Sequence, residues 1–164
     1  MLKTIKLESQ GLALCIISLL VAYIYFDMVL ELMPCTLCLI DRFLIIAIFI
    51  LFLATRQNIF PKITNIMAIF FSIVGTISAS WHIYIQEAHK NLEEGDFGNG
   101  CGADIFYYIK NLPFSEAIEK TFTSSSSCVD VDWTFLGLTI PAYTLILFII
   151  LLIISFKIFI RNET

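Results

Sequence analysis

Hydrophobic and polar positions fall in long blocks along this chain, with neither the alternation of a half-buried strand nor the stripes of a soluble helix. Apolar runs cover about residues 12–30, 39–54, 63–85 and 139–160. At 1.5 Å per residue a helix of about 20 residues crosses the ~30 Å hydrocarbon core of a bilayer, so the blocks predict four transmembrane helices. The first run is interrupted only by Ser18 and Asp27. It is longer than the 7–15 apolar residues typical of a signal peptide and lacks a small-residue cleavage pattern, so an uncleaved helix is expected. Asp27 and Glu31, near its far end, read as a solvated helix terminus, and Cys15 inside it as a small buried hydrophobe. The third run carries Gly75, Ser78, Ala79 and Ser80, small residues that let helices approach closely in lipid, and it ends in the interfacial cluster Trp81-His82-Ile83-Tyr84-Ile85-Gln86.

Composition agrees with that reading. Of 164 residues 59% are hydrophobic and 15% charged, and mean hydropathy is +0.88. A soluble domain of this size has too little interior for so much apolar surface, so the fold class expected is an all-α integral membrane protein, one domain over residues 1–164. The net charge of −4 includes no basic tract, and no nucleic-acid partner is expected. Lys3, Lys6, Arg56, Lys62, Lys157 and Arg161 fall in the short segments on one side of the predicted bundle, so the positive-inside rule places both termini in the cytoplasm. Two extracytoplasmic loops follow, at about residues 31–38 and 87–137.

The longer loop holds nine acidic residues against Lys90, Lys110 and Lys120. Glycines at 95, 98, 100 and 102 surround Cys101, and Thr123–Ser127 leads into Cys128, so both cysteines are expected on movable backbone. Between them Phe114, Ile118 and Phe122 recur at helical spacing, predicting a short amphipathic helix on the bilayer or against the bundle.

The shorter loop leads into Met33-Pro34-Cys35-Thr36-Leu37-Cys38-Leu39-Ile40-Asp41-Arg42. Pro34 suits a first helical turn, which puts Cys35 and Cys38 at or just inside a helix N-terminus, where unsatisfied N–H groups favour thiolate. Arg42, four residues after Cys38, shares its helix face. Cys-x-x-Cys is also half of a structural zinc site, but 26 residues separate Cys101 from Cys128, unlike the close second pair of such sites, and no metal is expected. Four cysteines facing an oxidising compartment, two fixed and two mobile, suit a thiol–disulfide relay. No haem or flavin signature is present to take the electrons. A lipid-soluble quinone needs only an apolar cleft and a cation such as Arg42, with His82 at the same interface to hold or move a proton.

The run Cys35-Thr36-Leu37-Cys38-Leu39-Ile40-Asp41-Arg42 resembles the Cys-x-x-Cys-x-x-acid/Gln-Arg signature of the disulfide bond formation protein B (DsbB) family. The resemblance extends to Cys101-Gly102, Leu112-Pro113, Cys128 with Asp130-Val131-Asp132-Trp133, and Phe135-Leu136-Gly137-Leu138 with Pro141, and so covers nearly the whole chain. Asp41 replaces the usual Glu or Gln, and Trp81-His82 stands where many members carry Arg-His. The resemblance implies a four-helix enzyme of the bacterial inner membrane that reoxidises a periplasmic DsbA-like thioredoxin-fold oxidase and passes electrons to ubiquinone or menaquinone. It also implies the roles: Cys101 attacked by the partner, Cys128 its resolving mate, Cys35 exchanging with Cys128, and Cys38 facing the quinone beside Arg42. Alternative readings are a vitamin K epoxide reductase-like thiol oxidoreductase, whose Cys-x-x-Cys comes later in the bundle, a disulfide-stapled tetraspan scaffold and a membrane-held zinc site.

Overall fold

A computed structural model describes residues 2–31, 35–90, 113 and 133–163. Helix α1 (Leu2–Leu20) continues without a break into a π-helical segment, Val21–Val29, and is followed by α2 (Thr36–Arg56) and α3 (Pro61–Lys90). A two-residue strand β1 (Thr134–Phe135) then turns into β2 (Leu138–Thr139), which runs straight into α4 (Ile140–Glu163). Among the described residues four stretches are long and apolar enough to cross a membrane: Leu7–Val29, Leu37–Arg56, Pro61–Glu87 and Ile140–Arg161. The chain is an all-α multi-pass membrane protein, a bundle of four helices. The amphipathic helix expected around residues 114–122 lies outside the described residues.

The helices close a ring in sequence order. α3 packs against α2 and α4, while α1 rests on α2 and more lightly on α4. The short connections on either side of α2 favour antiparallel neighbours there. The centre of the ring is apolar, with Leu12, Ile48, Phe52, Phe148 and Leu151 buried. Two glycines make room for its largest rings. A Cβ on Gly11 would sit 2.6 Å from the Phe52 ring, and one on Gly75 would collide with Phe148, so α1 approaches α2 closely at Gly11 and α3 approaches α4 closely at Gly75. Outward-facing residues such as Phe43, Ile63 and Ile77 are exposed, as a lipid-facing surface requires.

Each end of the bundle carries its own polar fastenings. At the Arg56 end, the Thr55 and Thr64 hydroxyls lie 2.9 Å apart and Asn65 donates to the Ser155 carbonyl at 3.1 Å. At the other end, β1 and β2 pair through a two-residue turn in which Leu136 and Gly137 both have positive φ, 51° and 78°. That is the backbone a tight hairpin needs, and glycine takes it without strain. The hairpin is held to the helices by aromatic contacts. Trp133 meets Phe26 edge-on at 5.1 Å and stacks on Phe135 at 6.0 Å, and the Tyr143 hydroxyl donates to the Phe135 carbonyl at 2.8 Å.

Candidate functional site

Helix α2 begins one residue after Cys35, whose extended backbone makes it the N-cap, and the Cys35 Sγ accepts a hydrogen bond from the Cys38 N–H at 3.3 Å. The cap role normally taken by Ser or Asp thus falls to a thiol. Pro34, expected in the first turn, precedes the cap and lies outside the described residues. The Cys35 thiol donates to the Cys38 sulfur, the two sulfurs standing 2.9 Å apart. Cys35 is buried beside Leu37 and Ile85, whereas Cys38 is partly open.

From the facing helix, His82 brings its Nε2 to 3.8 Å from the Cys35 Sγ, with the ring almost wholly buried. Its register is set one turn earlier on α3. There the Ser78 hydroxyl donates to the Asp41 carboxylate of α2 at 2.7 Å, and Asp41 is itself buried. A buried carboxylate at membrane depth needs such a donor, so the Asp41–Ser78 tie fixes how α3 meets α2 and therefore where His82 sits. Ser78, read from sequence only as a small residue for close packing, is a hydrogen-bonding fastener as well.

Arg42 lies one turn beyond Cys38 on α2 and within electrostatic reach of it, but its guanidinium is not a lone cation. It forks onto Asp27 of the π segment, Nη1 to Oδ2 at 2.5 Å and Nη2 to Oδ1 at 2.7 Å. Nη2 also donates to the Ala22 carbonyl at 3.3 Å, and the guanidinium carbon stands 4.8 Å from the centre of the Tyr23 ring. Asp27 therefore corrects the expectation of a solvated helix end: it is the counter-ion of Arg42, although Glu31 is exposed as expected. Tyr23 and Asp27 are four residues apart, on one side of the π segment, and π-helical turns recur at functional sites. Cys15 is fully buried and far down α1, as its reading as core predicts.

A family model for disulfide bond formation protein DsbB matches residues 9–158. The chain belongs to the DsbB family. Among its relatives, disulfide bond formation protein B of Nitrosococcus oceani is 36% identical over 148 residues, 88% of this chain and 85% of that protein. The proteins of the same name from Methylococcus capsulatus and Saccharophagus degradans are both 32% identical, over 80% and 85% of this chain and 80% and 83% of their own lengths. This chain is thus a membrane protein of disulfide bond formation, and the family supports a disulfide-forming oxidoreductase. Of the residues singled out in its DsbB-like sequence, the fold gathers Cys35, Cys38 and His82 at one end, with Arg42 one turn away. Cys101 and Cys128 lie outside the described residues. Sequence reasoning missed Asp27, Ser78 and the docking role of Trp133. A carboxylate within an otherwise apolar run was the available signal for Asp27, because such a group at membrane depth seeks a cation.

Proposed function

We propose that this DsbB-family protein is a thiol oxidase of the bacterial inner membrane, with both termini cytoplasmic. It reoxidises a periplasmic DsbA-like dithiol protein and delivers the electrons to a membrane quinone. The observation that carries the reading is the close Cys35–Cys38 pair at the α2 N-terminus, flanked by His82 and by an arginine held on Asp27.

The relay is a chain of thiol–disulfide swaps. A partner thiolate attacks Cys101 of a Cys101–Cys128 disulfide, forming a mixed disulfide and releasing Cys128 as thiolate. Cys128 attacks Cys35 of a Cys35–Cys38 disulfide, and Cys38 leaves as thiolate; the partner's second thiol then releases the partner oxidised. Chain length supports the middle step. Trp133, docked on Phe26 at the Cys35 end of the bundle, follows Cys128 by only five positions in the sequence. His82 is near enough to hold or return a proton at the Cys35 sulfur.

The surroundings of Cys38 fit a flat, lipid-soluble acceptor. Cys38 is the more open of the two sulfurs, exposed Leu39 and Phe43 give its helix an apolar lateral face, and Arg42 provides positive charge next to it. A quinone, when bound, supplies the two-electron sink. Asp27 and Tyr23 keep the guanidinium from turning away into the interface, so its charge is directed as well as present.

Purified protein mixed with a reduced DsbA-like partner and either ubiquinone or menaquinone should reduce quinone in step with partner oxidation. No quinone reduction with either, while the partner is still oxidised, would overturn the electron route. A partner lacking its own resolving cysteine should be trapped on Cys101, and peptide mapping that finds it on Cys35 would reverse the proposed order.

A further inference from the structure

The geometry points to a second, inhibitory use of the same end of the bundle: in the dithiol state, Cys35, Cys38 and His82 form a binding site for a thiophilic divalent cation such as Zn2+. It rests on the dithiol state that the proposed relay passes through, but not on quinone as the acceptor. The three donor atoms, two sulfurs and one imidazole nitrogen, all lie within 4.8 Å of one another. With metal–sulfur bonds of ~2.3 Å and metal–nitrogen bonds of ~2.1 Å, tetrahedral coordination places a sulfur and a nitrogen roughly 3.6 Å apart. Cys35 Sγ and His82 Nε2 are 3.8 Å apart already. The sulfurs, at 2.9 Å, would need to separate by roughly 0.8 Å to reach ~3.7 Å, a small rotation of Cys38, which is not fully enclosed.

Other features favour an ion here. The ligands come from two helices whose register is fixed by the Asp41–Ser78 hydrogen bond, so much of the ordering needed for binding is already in place. One turn beyond His82 and on the same helix face, the Gln86 side-chain oxygen is buried without a hydrogen-bond partner among the described residues. Three protein ligands leave the fourth position of a tetrahedral ion open, and a buried acceptor nearby is suited to a water there.

Binding is tied to redox state. Each thiol releases its proton as its sulfur bonds the metal, with no electron transferred, whereas a Cys35–Cys38 disulfide has no thiolate to offer. The cation therefore captures the protein between turnovers and holds Cys35 and Cys38 out of exchange. Excess free zinc in the compartment would slow disulfide formation at this step.

Cobalt(II) is the probe. Full-length protein reduced anaerobically in detergent, then freed of reductant, should bind one Co2+ with a sulfur-to-cobalt charge-transfer band and the visible bands of a tetrahedral ion, and Zn2+ should displace it. The same protein oxidised to its disulfides should show neither band, a comparison that needs no mutation. His82→Ala should weaken Co2+ binding by about tenfold or more, and His82→Cys should restore it with a stronger charge-transfer band. Cys101→Ser/Cys128→Ser should keep the spectrum, and Cys35→Ser/Cys38→Ser should lose it. A reduced wild-type protein without the bands would overturn the proposal, as would bands that persist in the Cys35/Cys38 variant, vanish in the Cys101/Cys128 variant or ignore His82. Failure of quinone reduction in the separate turnover assay would leave these spectra unchanged, so the two readings fail independently.

Discussion

Helix α2 carries an arginine near each end, and both reach for α1 or its π-helical continuation, yet the two contacts differ in kind. Arg42 is buried and forked onto Asp27 through two short hydrogen bonds, with Tyr23 and the Ala22 carbonyl completing its shell. Arg56 is exposed and makes one long bond, 3.4 Å, to the Ser9 hydroxyl. An exposed contact of that kind is worth about 0–1 kcal/mol, because water competes for both groups and the side chain loses entropy on ordering. A desolvated fork is different. Its loss strands a charge, so it holds geometry even where its net stabilisation is small. The comparison teaches that charge alone does not set the two arginines apart; what distinguishes Arg42 is a counter-ion that fixes its direction.

The largest expected effect is therefore at Arg42. Breaking a buried ion pair from one side costs about 3–5 kcal/mol. Asp27 retains 24% side-chain exposure, so water recovers part of that, and Arg42→Ala should lose about 2 kcal/mol in detergent unfolding. In the proposed relay, quinone turnover should fall by about tenfold or more, while exchange between partner and Cys101 continues. Arg42→Lys should fall between, keeping charge without the planar fork. Unchanged unfolding and unchanged quinone use in Arg42→Ala would erase the contrast with Arg56.

Asp27→Asn sharpens the same point from the other side. It keeps the shape of the side chain and removes its charge, so about 1 kcal/mol should be lost, with a change in quinone KM larger than the change in kcat, because the guanidinium is freed to turn. Combined with Arg42→Ala, the two losses should be non-additive by about 1 kcal/mol or more. Additive losses would mean that the fork does not hold Arg42.

Ser78→Ala should cost about 1 kcal/mol by withdrawing a donor from buried Asp41. Its more telling readout is the rate at which Cys35 reacts with a small disulfide, which should change because His82 loses the tie one turn away. An unaltered rate would separate the helix register from the redox pair.

How far these details could be read in the sequence depended on the kind of signal. The four helices were legible because lipid imposes a length and a composition on each run, and Cys35, Cys38 and Arg42 because their spacing alone puts them on one helix end. Asp27 was read as solvated because it lies fifteen positions before Arg42 and nothing local in Val21–Val29 signals a π helix. Ser78 and Asp41 look ordinary until the register of α3 on α2 is known, and that register depends on packing such as Phe148 filling the space at Gly75. The two-residue hairpin was hidden for a related reason: its turn places Leu136 at positive φ, a conformation that sequence preference argues against and that the anchored Trp133 and Tyr143 help to hold.

The smallest effect expected is at Arg56, and it tests the contrast from its weak side. Arg56→Gln removes one exposed hydrogen bond to Ser9, so unfolding should change by less than about 0.5 kcal/mol and turnover not at all. One neighbour makes the outcome informative. Glu8, next to Ser9 on α1, is 6% exposed and within electrostatic reach of Arg56. If Arg56 serves only as an interfacial charge, Glu8→Gln alone and Glu8→Gln with Arg56→Gln should unfold alike. If Arg56→Gln costs more than about 1 kcal/mol and Glu8→Gln cancels that cost, the second arginine also holds a buried carboxylate. The two ends of α2 would then differ in degree of burial only, and aiming by a counter-ion would no longer distinguish Arg42.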